Sequence, residues 1–327
     1  MNNKSILITG GTGSFGKAFI EHAVTRYKRI KKLVVFSRDE LKQSELKKIY
    51  PISKYPYIRF FIGDIRDKSR LVMALRDIDT IIHSAALKQI DTAEYNPIET
   101  IKTNILGSQN IVEVALDSKV KNVIALSTDK AVSPLNLYGA TKLCAEKLFL
   151  AANNIRGKNR IKFSIVRYGN VMGSRGSVLP IFLKNKLNYF PLTHIDMTRF
   201  NITLKEGVKL VDYVMNKNKG GEIYIPKLKS FYIRNLAKAI DPKKKIKIIG
   251  IRKGEKLHEE LINYEESRYC IETKDLYILF PNPEEYGRHK QKFNKIRIKS
   301  NKQFTYNSFN NKQFLNINDL RKIVFNT

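Results

Sequence analysis

Five residues in one short stretch of this 327-residue chain have the types and spacing for chemistry: Thr128, Asp129, Lys130, Tyr138 and Lys142. Tyr138 and Lys142 stand four apart in a helical pattern, which puts a phenol and an ammonium on one helix face. There the ammonium can lower the phenol pKa, and Tyr138 becomes a base. A Tyr and a Lys at this spacing are common, and packing is their default explanation. Asp129 and Lys130 add a carboxyl and an amine side by side, an acid and a base for adjacent atoms of one substrate. Lys130 can be that base only if its pKa falls toward neutrality, which burial and the nearby Lys142 would favour. The plain alternative is a surface ion pair on a loop.

A glycine-rich loop gives the Tyr and Lys more weight. Gly10-Gly11-Thr12-Gly13-Ser14-Phe15-Gly16 directly follows a short apolar run, with glycine at its first, fourth and seventh places. Missing side chains permit a tight turn, let backbone approach a pyrophosphate and bring the next helix close, its N-terminus toward the anion. The chain therefore carries a candidate dinucleotide site, with Lys142 able to hold a nicotinamide ribose. After the second apolar run comes Ser37-Arg38-Asp39. A hydroxyl and a guanidinium fork suit a 2′-phosphate and favour NADP, while Asp39 keeps NAD open. Asp64, after the third run, is placed either beside the adenine or as the cap of the following helix.

Short apolar runs at 5–9, 32–36, 58–62, 80–83, 122–126 and 162–166 alternate with helical patterns at 16–27, 68–75, 99–116 and 138–152. That alternation predicts βαβ units and an α/β fold with a doubly wound parallel sheet, whose ligands gather at the carboxyl ends of the strands. Residues 1–168 form the expected dinucleotide-binding domain, and 169–280 a smaller substrate lobe with a helix at 204–216 and some segments returning to the sheet. A polar tail, 281–327, is expected to lie on the surface as irregular chain with one helix at 317–324.

The net charge of +30 raises a nucleic-acid reading, yet the lysines are spread over the whole chain. The densest run, Lys243 to Lys247, has no aromatic stacking partners and reads as a solvated face. No apolar stretch is long enough to span a membrane and no signal-peptide layout is present, so a cytoplasmic protein is expected. Cys144 and Cys270 read as reduced and structural, Cys144 as a small apolar group within a helix. His258-Glu259-Glu260 lacks the second histidine of a zinc motif, and no metal is expected.

Nearly the whole chain resembles the soluble, inverting UDP-N-acetylglucosamine 4,6-dehydratases of the pseudaminic acid pathway, members of the extended short-chain dehydrogenase/reductase family. The likeness rests on Thr12-Gly13-Ser14-Phe15-Gly16, Ser37-Arg38-Asp39-Glu40-Leu41-Lys42, Ala85-Ala86-Leu87-Lys88, Ser127-Thr128-Asp129-Lys130-Ala131 and Leu137-Tyr138-Gly139-Ala140-Thr141-Lys142. It continues through Arg167-Tyr168-Gly169-Asn170-Val171, Gly173-Ser174-Arg175-Gly176-Ser177-Val178, Met197-Thr198-Arg199-Phe200 and Gly254-Glu255-Lys256-Leu257-His258-Glu259.

The resemblance implies a lyase with NADP bound tightly and recycled internally. Cofactor contacts would come from Gly10, Thr12 to Gly16, Ser37 to Lys42, Asp64, Ile65, Ser84, Ala85, Lys88, Leu126, Ser127, Tyr138, Lys142 and Val171. UDP-N-acetylglucosamine would be held by Lys88, Asn170, Arg175, Gly176, Ser177, Val178, Arg199, Arg252 and Glu255. Tyr138 would take the 4-hydroxyl proton, Lys130 the hydrogen on carbon 5, and Asp129 would protonate the departing 6-hydroxyl. In 4-epimerases of the same superfamily small Ser or Ala residues usually stand at the Asp129-Lys130 position, so this pair separates dehydration from UDP-hexose 4-epimerisation, the alternative reading. A non-catalytic nucleotide- or nucleic-acid-binding protein, the third reading, would need neither the pair nor Thr128, Tyr138 and Lys142. Gln89, Asp91 and Asn201 depart from the family pattern and bear on hexose preference. A homo-oligomer is expected, because Leu143, Ala145, Leu148, Phe149 and Ala152 place apolar groups on more than one face of their helix.

Overall fold

The computed structural model describes residues 3–174, 176–290 and 303–325. Its first half runs β1 (Ser5–Thr9), α1 (Ser14–Arg26), β2 (Lys32–Ser37), α2 (Glu40–Ile49), β3 (Ile58–Ile62), α3 (Lys68–Ala74) and β4 (Thr80–His83). Two short helices follow, α4 (Ile90–Tyr95) and α5 (Pro97–Ile101), then α6 (Gly107–Leu116), β5 (Asn122–Thr128), α7 (Leu137–Ile155) and β6 (Lys162–Tyr168). Helices cover both faces of the sheet, so β1 is buried throughout and β2, β5 and β6 are buried along nearly their whole length.

The second half adds β7 (Asn170–Val171), α8 (Val178–Leu183), β8 (Tyr189–Leu192), β9 (Thr198–Ile202), α9 (Leu204–Lys217), β10 (Ile223–Pro226), β11 (Lys229–Tyr232) and α10 (Ile233–Ile240). After it come β12 (Lys245–Ile248), β13 (Glu260–Ile262), β14 (Cys270–Glu272), β15 (Leu276–Leu279), α11 (Pro283–Lys290), β16 (Tyr306–Asn307) and α12 (Ile317–Phe325). Three of these strands extend the main sheet to nine, in the order β14-β15-β10-β6-β5-β4-β1-β2-β3, all running one way except β15, which is antiparallel to both β10 and β14. The order reverses direction between β1 and β4, and such a switch opens a ligand crevice at the carboxyl ends of those strands. A second core, with Met172, Phe182, Phe190, Phe231 and Leu236, underlies the looser half.

Two local departures from the sequence pattern serve the crevice. The helical pattern over 99–116 is broken by a π turn, Lys102–Leu106. Gly107 then packs on Ile65, where a Cβ would lie 2.7 Å from Ile65 Cδ1. Asn104 is buried by the same turn and bridges the loop after β4. Its side chain accepts from Leu87 N (2.8 Å) and donates to Leu87 O (2.9 Å) and to Thr141 Oγ1 (3.0 Å). The widened turn thereby ties the segment before Lys88 to the helix that carries Tyr138.

The C-terminal segment does more than its polar composition suggests. β16 pairs with β13, α12 packs against α10, and Leu320 is fully buried in the second core. The helix expected at 317–324 is present, and Tyr306, Leu315, Leu320 and Val324 are all buried, so the segment packs into the fold and does not lie on its surface. Cys144, by contrast, is exposed on α7. It falls between the buried positions Thr141, Lys142, Ala145 and Glu146, on the face turned from the sheet.

Candidate active site

The loop after β1 is shaped for a phosphate. Gly10 adopts φ +65, and a Cβ on it would stand 3.0 Å from the backbone of Ala85 after β4. A Cβ on Gly16 would collide with the backbone of Gly11, so α1 can begin this close only with glycine there. The N-cap of α1 is Gly13 and no side chain caps it, which leaves the helix N-terminus available to an anion. These features fit a dinucleotide pyrophosphate.

At the end of β2, Ser37 Oγ shares a hydrogen bond with Thr12 Oγ1 at 2.7 Å. Asp39 caps α2 by accepting from Lys42 N at 2.9 Å, and its second oxygen pairs with the Lys42 ammonium. Its carboxylate is thus engaged locally, while Arg38 is half exposed and lies 3.5 Å from Asp64. Asp64 does not cap the next helix; Asp67 does, and Asp64 instead pairs with Arg66 at 2.7 Å. Burial raises the Asp64 carboxyl, but Arg66 and Arg38 outweigh it and hold the group below its ordinary value. Glu40 and Leu41 stand exposed on α2, and Ile65 is buried in the core. Ser84 Oγ donates to Thr9 O at 2.6 Å and Ala85 N to Thr9 Oγ1 at 3.2 Å, which fixes the second wall of the crevice.

β5 ends at Thr128, and a single 3-10 turn, Asp129–Ala131, carries the acid and the amine. α7 presses against this turn, and a Cβ on Gly139 would strike Lys130 O. Asn136 caps α7 by accepting from Gly139 N and also donates to Gly254 O, both at 2.8 Å. Asp129 is fully buried; its Oδ1 accepts from Thr128 Oγ1 (2.9 Å) and Lys130 Nζ (3.0 Å). Gly169 makes room for the carboxyl, since a Cβ there would sit 3.3 Å from Asp129 Oδ2 and 2.6 Å from Phe200 Cβ.

Charge in the pocket is distributed differently from the expectation. Burial alone would depress Lys130, but Asp129 and a further carboxylate, Glu259 at 3.2 Å, outweigh it and hold the ammonium above its ordinary value. Lys130 is therefore protonated in the ligand-free site. The expected fall toward neutrality does not occur, because two carboxylates face it where sequence supplied one. Burial raises the Asp129 carboxyl and Glu259 adds to the rise, against Lys130. Tyr138 is pushed up to about 12 by burial, with Lys130 and a hydrogen bond to Thr128 opposing, so its phenol is not lowered by Lys142 as the spacing suggested. Lys142 instead donates to Leu126 O at 2.7 Å, and burial brings it down to about 8 against the opposing pull of Glu146. Lys88 is lowered by desolvation and then by the Lys130 charge, which brings the two ammonium groups within electrostatic reach.

One cavity collects the substrate-side residues around this pair. Lys130 shares its lining with Asn170, Val171, Gly176, Ser177, Val178, Arg199, Arg252 and Glu255. Arg175 lies outside the described residues. Asn170 Oδ1, Ser177 Oγ, Asp129 Oδ2 and Ser127 Oγ are buried without a hydrogen-bond partner among the described residues. Buried polar atoms are rarely left so, and Asn170 and Ser177 line the cavity itself, which fits a polar ligand. Arg199 is anchored by donating to Thr198 O (2.7 Å) and Leu257 O (3.1 Å) and pairs with Glu255 at 3.4 Å. His258 packs against Phe309 and shares a 2.8 Å hydrogen bond with Thr198. Among the described residues no cluster of three or more acidic, His or Cys side chains is arranged to hold a metal, and no helix is long and apolar enough to cross a membrane.

Two residues that the sequence places only within a motif, with no role at the site, belong to it: Glu259, which lines the cavity and touches Lys130, and Lys256, which lines it too and donates to Val132 O at 2.5 Å. The available signal was a run of mixed charge, Glu255, Lys256, Glu259 and Glu260, around His258.

Residues 6–281 match the family described as polysaccharide biosynthesis protein. Across 100% of its length and 98% of the relative's, the chain is 47% identical to a UDP-N-acetylglucosamine 4,6-dehydratase (inverting) of Campylobacter jejuni. It is 39% identical to a UDP-glucose 4-epimerase of Rickettsia bellii, covering 99% of this chain and 96% of that one. Among solved structures, Pen from Bacillus thuringiensis superposes with a TM-score of 0.88 at 36% identity, covering 100% and 99% of the two chains. With the doubly wound sheet and the glycine-rich crevice, these likenesses make the chain a member of the polysaccharide biosynthesis protein family within the extended short-chain dehydrogenases/reductases.

Proposed function

We propose that the protein is an NADP-dependent UDP-N-acetylglucosamine 4,6-dehydratase that inverts carbon 5. The observation that carries this reading is the pair of buried Asp129 and part-exposed Lys130, 3.0 Å apart, at a cavity lined by Lys130, Asn170, Ser177, Arg199 and Arg252. Arginine forks suit the diphosphate, and the unpartnered Asn170 and Ser177 suit uridine or sugar hydroxyls. Bound in the crevice, NADP would take hydride from carbon 4 of the sugar and return it at carbon 6. Tyr138, hydrogen-bonded to Thr128, would take the 4-hydroxyl proton as its phenolate, a form that the positive charge of an oxidised nicotinamide in the crevice would favour, whereas in the ligand-free site burial keeps the phenol protonated.

The ion pair becomes an acid and a base in one step. A proton passing from Lys130 Nζ to Asp129 Oδ1 along their hydrogen bond leaves a neutral amine and a carboxylic acid. Both forms are favoured once a sugar excludes water, because burial penalises charge. The amine removes the hydrogen on carbon 5, acidified by the ketone at carbon 4, and Asp129 protonates the 6-hydroxyl, which leaves as water; return of hydride to carbon 6 is matched by a solvent-derived proton added to the opposite face of carbon 5, which inverts it. The second reading, a UDP-hexose 4-epimerase, is favoured by the 39% likeness to the Rickettsia bellii enzyme but gives this pair no task.

Incubation with UDP-N-acetylglucosamine in heavy water decides between them. The expected product lacks one water and carries deuterium at carbon 5 with inverted configuration; a product of unchanged mass, altered at carbon 4, would establish the epimerase instead.

The NADP preference rests on Ser37 and Arg38 together with the engagement of Asp39 by α2. Arg38→Ala should weaken NADP binding by about tenfold to a hundredfold, the worth of one or two charge-assisted hydrogen bonds, and leave NAD binding nearly unchanged. Equal weakening of both dinucleotides, measured by calorimetry, would refute the 2′-phosphate role.

A further inference from the structure

Two carboxylates flank one ammonium in the candidate site, and the reaction described above employs only Asp129. The other, Glu259, is 2% exposed and stands just before β13. Its backbone is held on both sides by Ser308: Glu259 N donates to Ser308 Oγ (2.9 Å) and Glu259 O accepts from Ser308 N (2.7 Å). Its Oε1 lies 3.2 Å from Lys130 Nζ and 3.6 Å from Arg199 Nε. Its Oε2 is buried with no hydrogen-bond partner among the described residues, and the residue lines the same cavity as Lys130 and Arg199. A buried carboxylate with an unpaired oxygen is a poor stabiliser of a fold, and an apolar residue would serve packing better.

Resting on the dehydratase reading, we propose that Glu259 is a positioning residue of the Asp129-Lys130 pair, holding the ammonium in the cavity and setting the pH range in which the pair shares the single proton that its chemistry needs. The pair can hold two protons, one or none, and only the singly protonated form offers an acid and a base together. Coupled groups lose protons in two steps that belong to the pair. A fixed negative charge 3.2 Å from Nζ makes both losses harder, so both steps lie at higher pH than they would without it.

The other groups facing Lys130 do not substitute for this charge. Arg199 on β9 and Lys88 after β4 oppose it, and Tyr138 on α7 is neutral. Lys256, which burial lowers, brings a further basic group and no negative charge, with Glu260 behind it on β13. Glu259 is itself kept ionised: burial raises it, and Lys130, Arg199 and Lys256 together outweigh burial. Lys130 accordingly stays above its ordinary value despite burial.

Glu259→Gln keeps the shape and removes the charge. In the ligand-free protein, nitrogen NMR of labelled lysine, with the Lys130 signal identified by its loss in Lys130→Met, should show Lys130 titrating about one to two pH units lower than in the unaltered protein. Both limbs of the pH profile of kcat should move toward acid by a similar amount, with KM changed far less than kcat at neutral pH. Glu259→Asp, which retracts the charge by one carbon, should move the profile the same way by a smaller step and recover most of the rate.

A Lys130 titration and a rate profile that stay in place while only the amplitude falls would overturn the proposal and leave Glu259 a structural residue. If Glu259→Gln does not fold, Glu259→Asp decides by the same criterion. The NMR titration needs no substrate, so an unaltered protein that fails to dehydrate the sugar would sink the dehydratase reading alone.

Discussion

Lys130→Ala is expected to slow dehydration by about a hundredfold to ten-thousandfold, the usual worth of a positioned general base, and to abolish deuterium uptake at carbon 5. Cofactor binding should persist, because Lys130 takes no part in the pocket formed by Gly10, Gly13, Gly16 and Ser37. The variant also separates base from acid. Without the ammonium, Asp129 and Glu259 are two buried carboxyls in one pocket, and like charges sharing a site drive one of them to keep its proton. Asp129 already leans that way through burial, so the acid survives and the base is lost. Oxidation at carbon 4 should therefore continue in a single turnover, seen as reduced-nicotinamide absorbance, while neither exchange nor water loss follows. Exchange at the normal rate in Lys130→Ala would remove Lys130 from the base role.

Much of the frame was legible in the sequence because it is local. Strands 5–9, 58–62 and 80–83 coincide with the observed elements, since short apolar runs between helical patterns have one common outcome in a parallel sheet. The glycines at 10, 13 and 16 and the Tyr138-Lys142 spacing were readable for the same reason: each is a rule about neighbours in the chain. The charge state of the site was not readable. Whether Lys130 is neutral or protonated depends on Glu259, 129 residues away in sequence and 3.2 Å away in space. The same distance effect hid the π turn, whose Asn104 hydrogen-bonds with Leu87 and Thr141, residues remote from it in the chain. It also hid the C-terminal clamp, where Ser308 holds the Glu259 backbone through its own N–H and its hydroxyl, bonds that leave no pattern in either segment. Tyr138 illustrates the limit well. The spacing pointed to Lys142 as the ammonium acting on it, but Lys142 donates to Leu126 O, Lys130 is the cation that opposes the rise, and burial decides the phenol.

Arg167→Ala should cost about 3–5 kcal/mol of folding stability, because it removes the cation from a buried cluster and leaves the carboxylates behind. Arg167 is wholly buried on β6, and its guanidinium reaches Glu146 on α7 (3.0 and 2.6 Å) and Glu266 (3.0 and 2.8 Å). A further bond, 3.0 Å to Leu261 O, ties the cluster to β13, two residues past Glu259. The pH dependence separates the electrostatic contribution from lost packing. Burial raises Glu266, but Arg167 outweighs it and holds the carboxyl below its ordinary value. A depressed carboxylate contributes stability above its unfolded pKa of about 4.3 and loses it as the pH falls through the lower folded value. In the variant the two carboxylates face one another without a cation, one is driven to protonate, and acid relieves the strain. Denaturant titrations should therefore show a wide stability gap between the two proteins at pH 7 and a narrower one near pH 4. A gap of the same width at both values would mean that Arg167 acts through its volume alone, and Arg167→Met would then restore what Arg167→Ala loses. On the electrostatic account Arg167→Met remains as unstable as Arg167→Ala at neutral pH, and only replacing Glu146 and Glu266 by apolar residues as well recovers the loss.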